Sequence, residues 1–254
     1  MADIDKLFSR LDALLERIDQ ILPAQTDTKA SDDLKAYRWH DSGLAGIASF
    51  DPVDQEKLLH VDHQLNLLSR NTAQFVGGKP ANNALLWGAR GAGKSSLIKA
   101  QINTYSDQPL CIVEVPKSAT GQLFEIIRRL ARDDRKFIIY LNDLSFDAND
   151  DAHKALKSCL DGSLQPLPDN LVIYATSNSI EENNSLADHF GLWLSFQPFT
   201  QDQYLAVVEQ TLLEREIELT DEARAEALRF ATSHGSRSGR IAFQFAAYWA
   251  SLQN

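Results

Sequence analysis

Gly88-Ala89-Arg90-Gly91-Ala92-Gly93-Lys94-Ser95 is the stretch on which the reading of this chain turns. It fits G-x-x-x-x-G-K-[ST], a loop whose glycines let successive backbone N–H groups turn inward around phosphates. A lysine at position 94 reaches β- and γ-phosphates, and a serine hydroxyl at 95 is a ligand for Mg²⁺. By composition alone such a string arises on the order of once per hundred chains of this size, so its context decides. Before it, Ala84-Leu85-Leu86-Trp87 reads as a short buried strand; after it, Ser96 to Tyr105 reads as a helix. A helix start directly after the loop adds its own positive end to an anion site. The loop therefore predicts that Gly88, Ala89, Arg90, Gly91, Ala92, Gly93, Lys94, Ser95 and Ser96 surround a nucleoside triphosphate, ATP with Mg²⁺. Arg90 has three readings: a phosphate contact, a contact to a neighbouring subunit, or a side chain in solvent.

Working outward, the same alternation of strand and helix continues. Leu110–Val115, Phe137–Leu141, Leu171–Thr176 and Leu192–Phe196 are further apolar runs of strand length, and helical patterns occupy Gly121–Ala131 and Asp150–Leu160. Continuous apolar strands separated by helices imply a parallel sheet covered on both faces, an α/β architecture. After Pro198 the pattern changes to three helices, Thr200–Glu216, Asp221–Ser233 and Ser238–Leu252, with no strand between them. On the N-terminal side, residues 34–82 read as short apolar pieces between turns, with one helix from about Val53 to Phe75 closed by Gly77-Gly78. Apolar residues recur at three and four from Ile4 to Leu22, an amphipathic helix stopped by Pro23, before a polar linker to residue 33. That helix packs on its own domain or docks to a partner or a second copy. The chain divides into residues 1–33, a nucleotide-binding core over 34–198, and a helical unit over 199–254.

Composition sets limits on function. Hydrophobic residues make up 44% of the 254, charged residues 24%, and the net charge is −10. So acidic a chain does not present itself as a nucleic-acid binder, and no nucleic acid is expected as partner. The densest basic stretch, Arg128, Arg129, Arg132, Arg135 and Lys136, reads as a solvated helix face. No apolar run approaches the roughly 20 residues of a membrane helix, and the acidic start lacks a signal core, so a cytoplasmic protein without membrane insertion is expected. Cys111 and Cys159 read as buried reduced thiols.

A phosphate loop that supports hydrolysis needs an acid at the end of a neighbouring strand. The strand Phe137–Leu141 runs into Asn142-Asp143-Leu144-Ser145. Counted along the apolar run, Asn142 takes the metal-site place and Asp143 the place of the base that polarises the attacking water. Asn142 can hydrogen-bond a metal-bound water but brings no charge, and Asp143 reaches less far than a glutamate. Ser95, Asn142 and Asp143 are the candidate metal shell.

With those residues placed, the chain resembles an AAA+ ATPase, and in particular the bacterial family known as domain of unknown function 815. The likeness is carried by Asn71-Thr72-Ala73-Gln74-Phe75, by Pro80 to Gly88, and by the phosphate loop. It continues in Asn142 to Phe146, Tyr174 to Asn178, Phe190 to Leu194, and Gly235-Ser236-Arg237-Ser238-Gly239-Arg240. The resemblance implies a five-stranded parallel sheet, a helical lid, and ATP in the cleft between them. It implies that Asn178 is the sensor 1 residue, orienting water near the γ-phosphate. It implies that Arg240, with Arg237 as runner-up, is the lid-borne sensor 2 arginine. Asp143, Asn178 and Arg240 are thus the candidate catalytic set.

Three departures accompany the likeness. The family pattern has two aspartates where this chain has Asn142-Asp143, and a basic pair where it has Ser179-Ile180. It has Asp-Arg-Phe-Gly-Leu where this chain has Asp188-His189-Phe190-Gly191-Leu192. Between Asn178 and Phe199 there is no Lys or Arg to act as a trans arginine finger. Two readings follow: a slow Mg²⁺-dependent ATPase that couples nucleotide state to motion of the lid or a partner, and a nucleotide-binding switch with little or no hydrolysis. A small-molecule kinase is the third, and nothing in the all-helical tail suggests an acceptor site. Self-association is an open possibility, since proteins of this type often form rings.

Overall fold

The computed structural model describes residues 34–40, 43–51, 53–144, 151–160, 167–178 and 187–253. The expected N-terminal helix and linker lie outside the described residues, as do Ser145, Phe146, Ser179 and Ile180. The strands are β1 (Ala36–His40), β2 (Gly43–Gly46), β3 (Ala84–Gly88), β4 (Leu110–Val115), β5 (Lys136–Leu141), β6 (Leu171–Ser177) and β7 (Leu192–Phe196). The helices are α1 (Asp62–Val76), α2 (Lys94–Thr104), α3 (Leu123–Leu130), α4 (Asp151–Leu160), α5 (Gln201–Leu213), α6 (Asp221–Ser233) and α7 (Gly239–Ser251).

Among the described residues one sheet forms, in the order β2-β1-β4-β5-β6-β3-β7. The five strands read from the sequence are all present and all parallel. The sheet is nevertheless seven-stranded, not five: β1 adds in parallel to β4, and β2 turns back antiparallel on β1. Tyr37 and Trp39 are buried in one core layer while Arg38 and His40 are exposed, the alternation of a strand, and Ala36 is buried in the layer on the other face. The register sets Arg38 opposite Glu114, and their side chains pair at 2.6 Å.

The strand periodicity of two sorts the core into two layers. Leu85, Cys111, Val113, Phe137, Ile139 and Ile173 face one side, where α3 and α4 cover them with Leu123, Ile126 and Leu156. Leu86, Ile112, Ile138, Tyr140, Val172 and Tyr174 face the other, covered by Leu68 and Phe75 of α1 and Leu97, Ile98 and Ile102 of α2. Each such aliphatic side chain stabilises the fold by about 1.5–3 kcal/mol relative to exposure. Both cysteines are buried in the first layer as free thiols.

Several residues that carried the family likeness are latches rather than site groups. Asn71 exchanges hydrogen bonds with the backbone of Asn82, donating at 2.8 Å and accepting at 2.9 Å. Asn71 also donates to the Tyr174 hydroxyl, and Thr72 pairs with it at 2.9 Å. The Ile173 N–H donates to Asn83 Oδ1. A Cβ at Gly191 would meet Asn82 Oδ1 at 2.4 Å. Together these groups pin α1 and the entry to β3 against β6 and β7.

Two helices are shorter than the pattern suggested. The stretch from Val53 forms a 3-10 turn at Gln55–Lys57 and then a crossing segment, and only Asp62–Val76 is α-helical. His60 in that crossing takes φ +62°, which ends helical continuity. The Gly121–Ala131 helix begins as a 3-10 segment, Lys117–Gln122, before α3. The basic stretch is also less solvated than expected. Arg135 is drawn into the fold, paired with Asp133 at 2.8 Å and donating to the Tyr37 hydroxyl at 3.0 Å. The Arg129 guanidinium lies 6.0 Å over the Trp39 ring.

The helices α5, α6 and α7 share their own core of Tyr204, Val208, Leu212, Ala227, Ile241 and Phe245. Each starts on a hydroxyl cap: Thr200 with a full capping box through Gln203, then Thr220, then Ser238. No helix among the described residues is long and apolar enough to cross a membrane.

Candidate functional site

A cleft of about 650 Å³ opens at the carboxyl ends of β3, β5 and β6, between the sheet and the three-helix unit. Its position outside the strand ends is where open parallel sheets bind ligands. One wall is apolar: Leu58, Leu59, Val61, Phe199, Val207 and Phe243. The polar wall is the phosphate loop from Arg90 to Ser96 together with Asn142, Asp143, Thr176, Asn178, Arg240 and Gln244.

The loop folds as its glycines require. Gly88, Gly91 and Gly93 have φ of +120°, +72° and +98°, in the region that side chains resist. A Cβ at Gly88 would stand 2.1 Å from the Phe196 carbonyl oxygen. The same oxygen accepts the Ala89 N–H at 2.9 Å, so the loop leaves the sheet anchored to β7. α2 then starts at Lys94 itself, two residues earlier than the sequence pattern suggested, with Gly93 as its left-handed cap.

Lys94 is buried, with 6% of its surface exposed. Its ammonium donates to Gly88 O at 2.6 Å, Ala89 O at 2.8 Å and Asn178 Oδ1 at 3.2 Å. Burial pushes its pKa down to about 8; the Asp143 charge opposes that shift and Arg90 adds to it. A buried cation resting on neutral carbonyls gains strongly from any anion brought beside it.

Asp143 stands at the opposite lip with φ +56°. Its backbone N–H donates to Thr176 Oγ1 at 3.0 Å, and the following Leu144 N–H donates to Thr176 O at 2.7 Å. The turn after β5 is thereby clamped to β6, and an Asp carboxylate accepts a hydrogen bond from the Asn178 amide. Asn178 therefore bridges Asp143 and Lys94. Asn142 Oδ1 accepts from the Tyr140 hydroxyl at 2.8 Å and from Thr176 Oγ1 at 3.1 Å.

The structure brings Lys94, Ser95, Ser96, Asn142, Asp143, Asn178 and Arg240 to one cleft. Gly88 and Ala89 serve it through their carbonyls. Arg90 lines the cleft with an exposed side chain. Arg240 sits where α7 meets the loop: the Gly239 N–H donates to Gly91 O at 2.9 Å, and a Cβ on Gly91 would crowd Ser238 at 2.8 Å. Arg237 is exposed and is not among the residues that line the cleft. His189, in a 3-10 turn at Ala187–His189, is not among them either.

Sequence reasoning missed Tyr140, Thr176 and the apolar wall. Tyr140 read as one more apolar strand residue, although its place two before Asn142, the first residue past β5, turns both to the same side. The wall joins residues 58–61 to residues 199–243, a juxtaposition that no local spacing encodes.

The residues suit ATP with Mg²⁺. A glycine loop around a buried ammonium fits a polyphosphate, and the volume fits a nucleotide. Of the candidate metal shell, Ser95 Oγ and the Asp143 carboxylate are hard oxygens with a single negative charge between them, while Asn142 Oδ1 is taken up by Tyr140 and Thr176. That set suits an ion that keeps several waters and leans on the phosphates.

A family model described as Protein of unknown function (DUF815) matches residues 32–180 and 178–253. No curated protein matches the sequence. Among solved structures, the Aeropyrum pernix Orc1 protein in complex with DNA is similar with TM-score 0.57 at 17% identity, over 75% of this chain and 61% of that one. C. elegans PCH-2 is similar with TM-score 0.54 at 17% identity, over 74% of this chain and 62% of that one. The Thermotoga maritima RuvB Holliday junction branch migration motor gives TM-score 0.51 at 18% identity, over 77% of this chain and 61% of that one. This chain thus spans less than two thirds of those structures. At such identities the likeness establishes the fold, the one shared by AAA+ ATPases. With the family model matched from residue 32 to residue 253, the chain belongs to the DUF815 family.

Proposed function

We propose that this chain binds Mg-ATP in the cleft and couples nucleotide state to the position of the three-helix unit, residues 199–254, acting as a lid. Hydrolysis in this reading is slow. The observation that carries it is Lys94: a buried ammonium, parked on Gly88 O and Ala89 O at the head of a nucleotide-sized cleft. An incoming phosphate replaces those neutral acceptors with charged ones.

In this reading the adenine and ribose lie against Leu58, Leu59, Phe199 and Phe243, and the phosphates lie on the loop and on Lys94. Ser95 holds Mg²⁺, with Asn142 reaching a water of its shell through the amide N–H, and the ion when bound neutralises phosphate charge. Asp143 polarises the attacking water, Asn178 orients it, and Arg240 balances charge on the transferring phosphoryl group. Water attacks the γ-phosphorus, the bond to the β-γ bridging oxygen breaks, and ADP and phosphate leave. Gly239 N–H on Gly91 O links the lid to the loop, the support for coupling between phosphate occupancy and lid position.

A second reading, a nucleotide-dependent switch without useful turnover, is favoured by the uncharged Asn142 and by the absence of Lys and Arg between Asn178 and Phe199. Asp143→Ala separates binding from chemistry. ATP affinity should stay within about threefold, because the lost side chain offers phosphates no attraction, while any steady-state turnover should disappear. Calorimetric binding and phosphate release on wild type and variant check this. Loss of all affinity in Asp143→Ala would sink the assignment of the site, and no turnover even in wild type would establish the switch.

A further inference from the structure

Tyr140 is 5% exposed, on the face of β5 that packs against α2. Its hydroxyl oxygen lies 2.9 Å from Ser95 Oγ and 2.8 Å from Asn142 Oδ1. Thr176 Oγ1 accepts the Asp143 N–H at 3.0 Å and is 3.1 Å from the same Asn142 oxygen. Each hydroxyl owns one proton, and an amide oxygen can only accept. If the Thr176 and Tyr140 protons both go to Asn142 Oδ1, its two lone pairs are filled. The Tyr140 oxygen is then free to accept, and the Ser95 hydroxyl is the donor within reach. The opposite direction, Tyr140 donating to Ser95, would set phenol and amide lone pairs against each other at 2.8 Å.

This chain of groups bears on the Mg²⁺ shell. A serine that ligates a cation needs its proton turned elsewhere. A carboxylate at position 142 would have oxygens to spare for that proton. The Asn142 oxygen is already filled twice, so the phenol stands between. We propose that Tyr140 is a positioning residue for the cation that accompanies the nucleotide: its oxygen accepts the Ser95 O–H hydrogen bond, its own O–H donates to Asn142 Oδ1, and the Ser95 lone pairs are so left to the ion. The inference rests on the nucleotide reading above and assigns to it a residue which that reading does not use.

The test measures ATP affinity of the full chain by calorimetry, once in EDTA and once in millimolar Mg²⁺. It compares wild type, Tyr140→Phe, Ser95→Ala and the double variant. The quantity read is the factor by which Mg²⁺ improves affinity. Tyr140→Phe should bind ATP in EDTA within about twofold of wild type, yet lose about fivefold of the Mg²⁺ enhancement, the worth of one directed hydrogen bond. In the Ser95→Ala background the Tyr140→Phe change should cost nothing further, since the phenol acts through that serine. If Tyr140→Phe fails to fold, Asn142→Ala serves instead, with and without Ser95→Ala: it leaves the phenol only Ser95 to donate to, so it should lower the enhancement where Ser95 is present and cost nothing further in the Ser95→Ala background, whereas a loss that persists there overturns the inference. An enhancement unchanged or increased in Tyr140→Phe overturns the inference while the nucleotide site stands. An effect that persists in the Ser95→Ala background overturns it too. Wild type that binds no ATP under either condition removes the nucleotide reading itself, and this inference with it.

Discussion

On one side of the cleft three oxygens close on the buried ammonium of Lys94; on the other, two hydroxyls close on the uncharged amide of Asn142. The first arrangement concentrates charge where phosphate would lie. The second withholds charge where a metal and a water would be activated. Both are well ordered by hydrogen bonds, so the difference lies in electrostatics and not in looseness. Capturing a polyphosphate needs the first pole, whereas stabilising charge that develops on a transferring phosphoryl group needs both. On the proposed reading, a site built this way would hold its ligand better than it transforms it.

The largest expected effect removes the strong pole. Lys94→Ala should weaken ATP binding by about 100-fold, the loss of charge-assisted bonds to phosphate. Unaltered affinity by calorimetry would break the comparison at its root. The next repairs the weak pole. Asn142→Asp puts a carboxylate beside Ser95 and should raise turnover by about tenfold, some 1.4 kcal/mol of barrier, with affinity little changed. Phosphate release that stays flat would mean the deficit lies elsewhere, in the segment without Lys or Arg that ends at Phe199.

The smallest effect sharpens the contrast through pH. Lys94 in the free protein has a pKa lowered to about 8. Phosphates favour its charged form, so the bound pKa lies higher. Below pH 8 the ammonium is charged in both states and affinity is independent of this group. Above pH 8 the free protein has lost the proton, binding must take one up, and affinity falls as pH rises. A loss of about fivefold between pH 8 and pH 9 is expected by titration in Mg²⁺ buffer. Lys94→Arg, which keeps its charge, should show none of it.

How much of this was legible beforehand follows from how local each signal is. The loop and Asp143 are set by spacing along a strand and its turn, so the sequence points to them directly, whereas Asn178 comes only through the family likeness. The hairpin of β1 and β2 was missed because Ala36–His40 offers only five residues of alternation, and its parallel partner is 76 positions away in the register of Tyr37 with Val113. That distance leaves no short-range trace. Tyr140 was missed for a different reason. Its ring satisfies the apolar pattern of β5 completely, and only the three-dimensional approach of Ser95 gives the hydroxyl a purpose. Arg240 ranks above Arg237 in sequence only through the family likeness; the start of α7 against Gly91 places the first on the cleft and leaves the second out.

Leu58 and Leu59 are neighbours in the chain but not in allegiance. Leu58 packs with the sheet layer that holds α1 and α2, while Leu59 packs with the core of α5, α6 and α7; Phe199 touches both. One peptide bond thus staples two hydrophobic cores at the apolar wall of the cleft. A hinge placed here cannot open widely without wetting one leucine or the other. Heat should accordingly find a single cooperative unit and not two that melt in turn. The same stitch would confine any lid movement to a tilt about residues 58–61, short in travel and quick to reset.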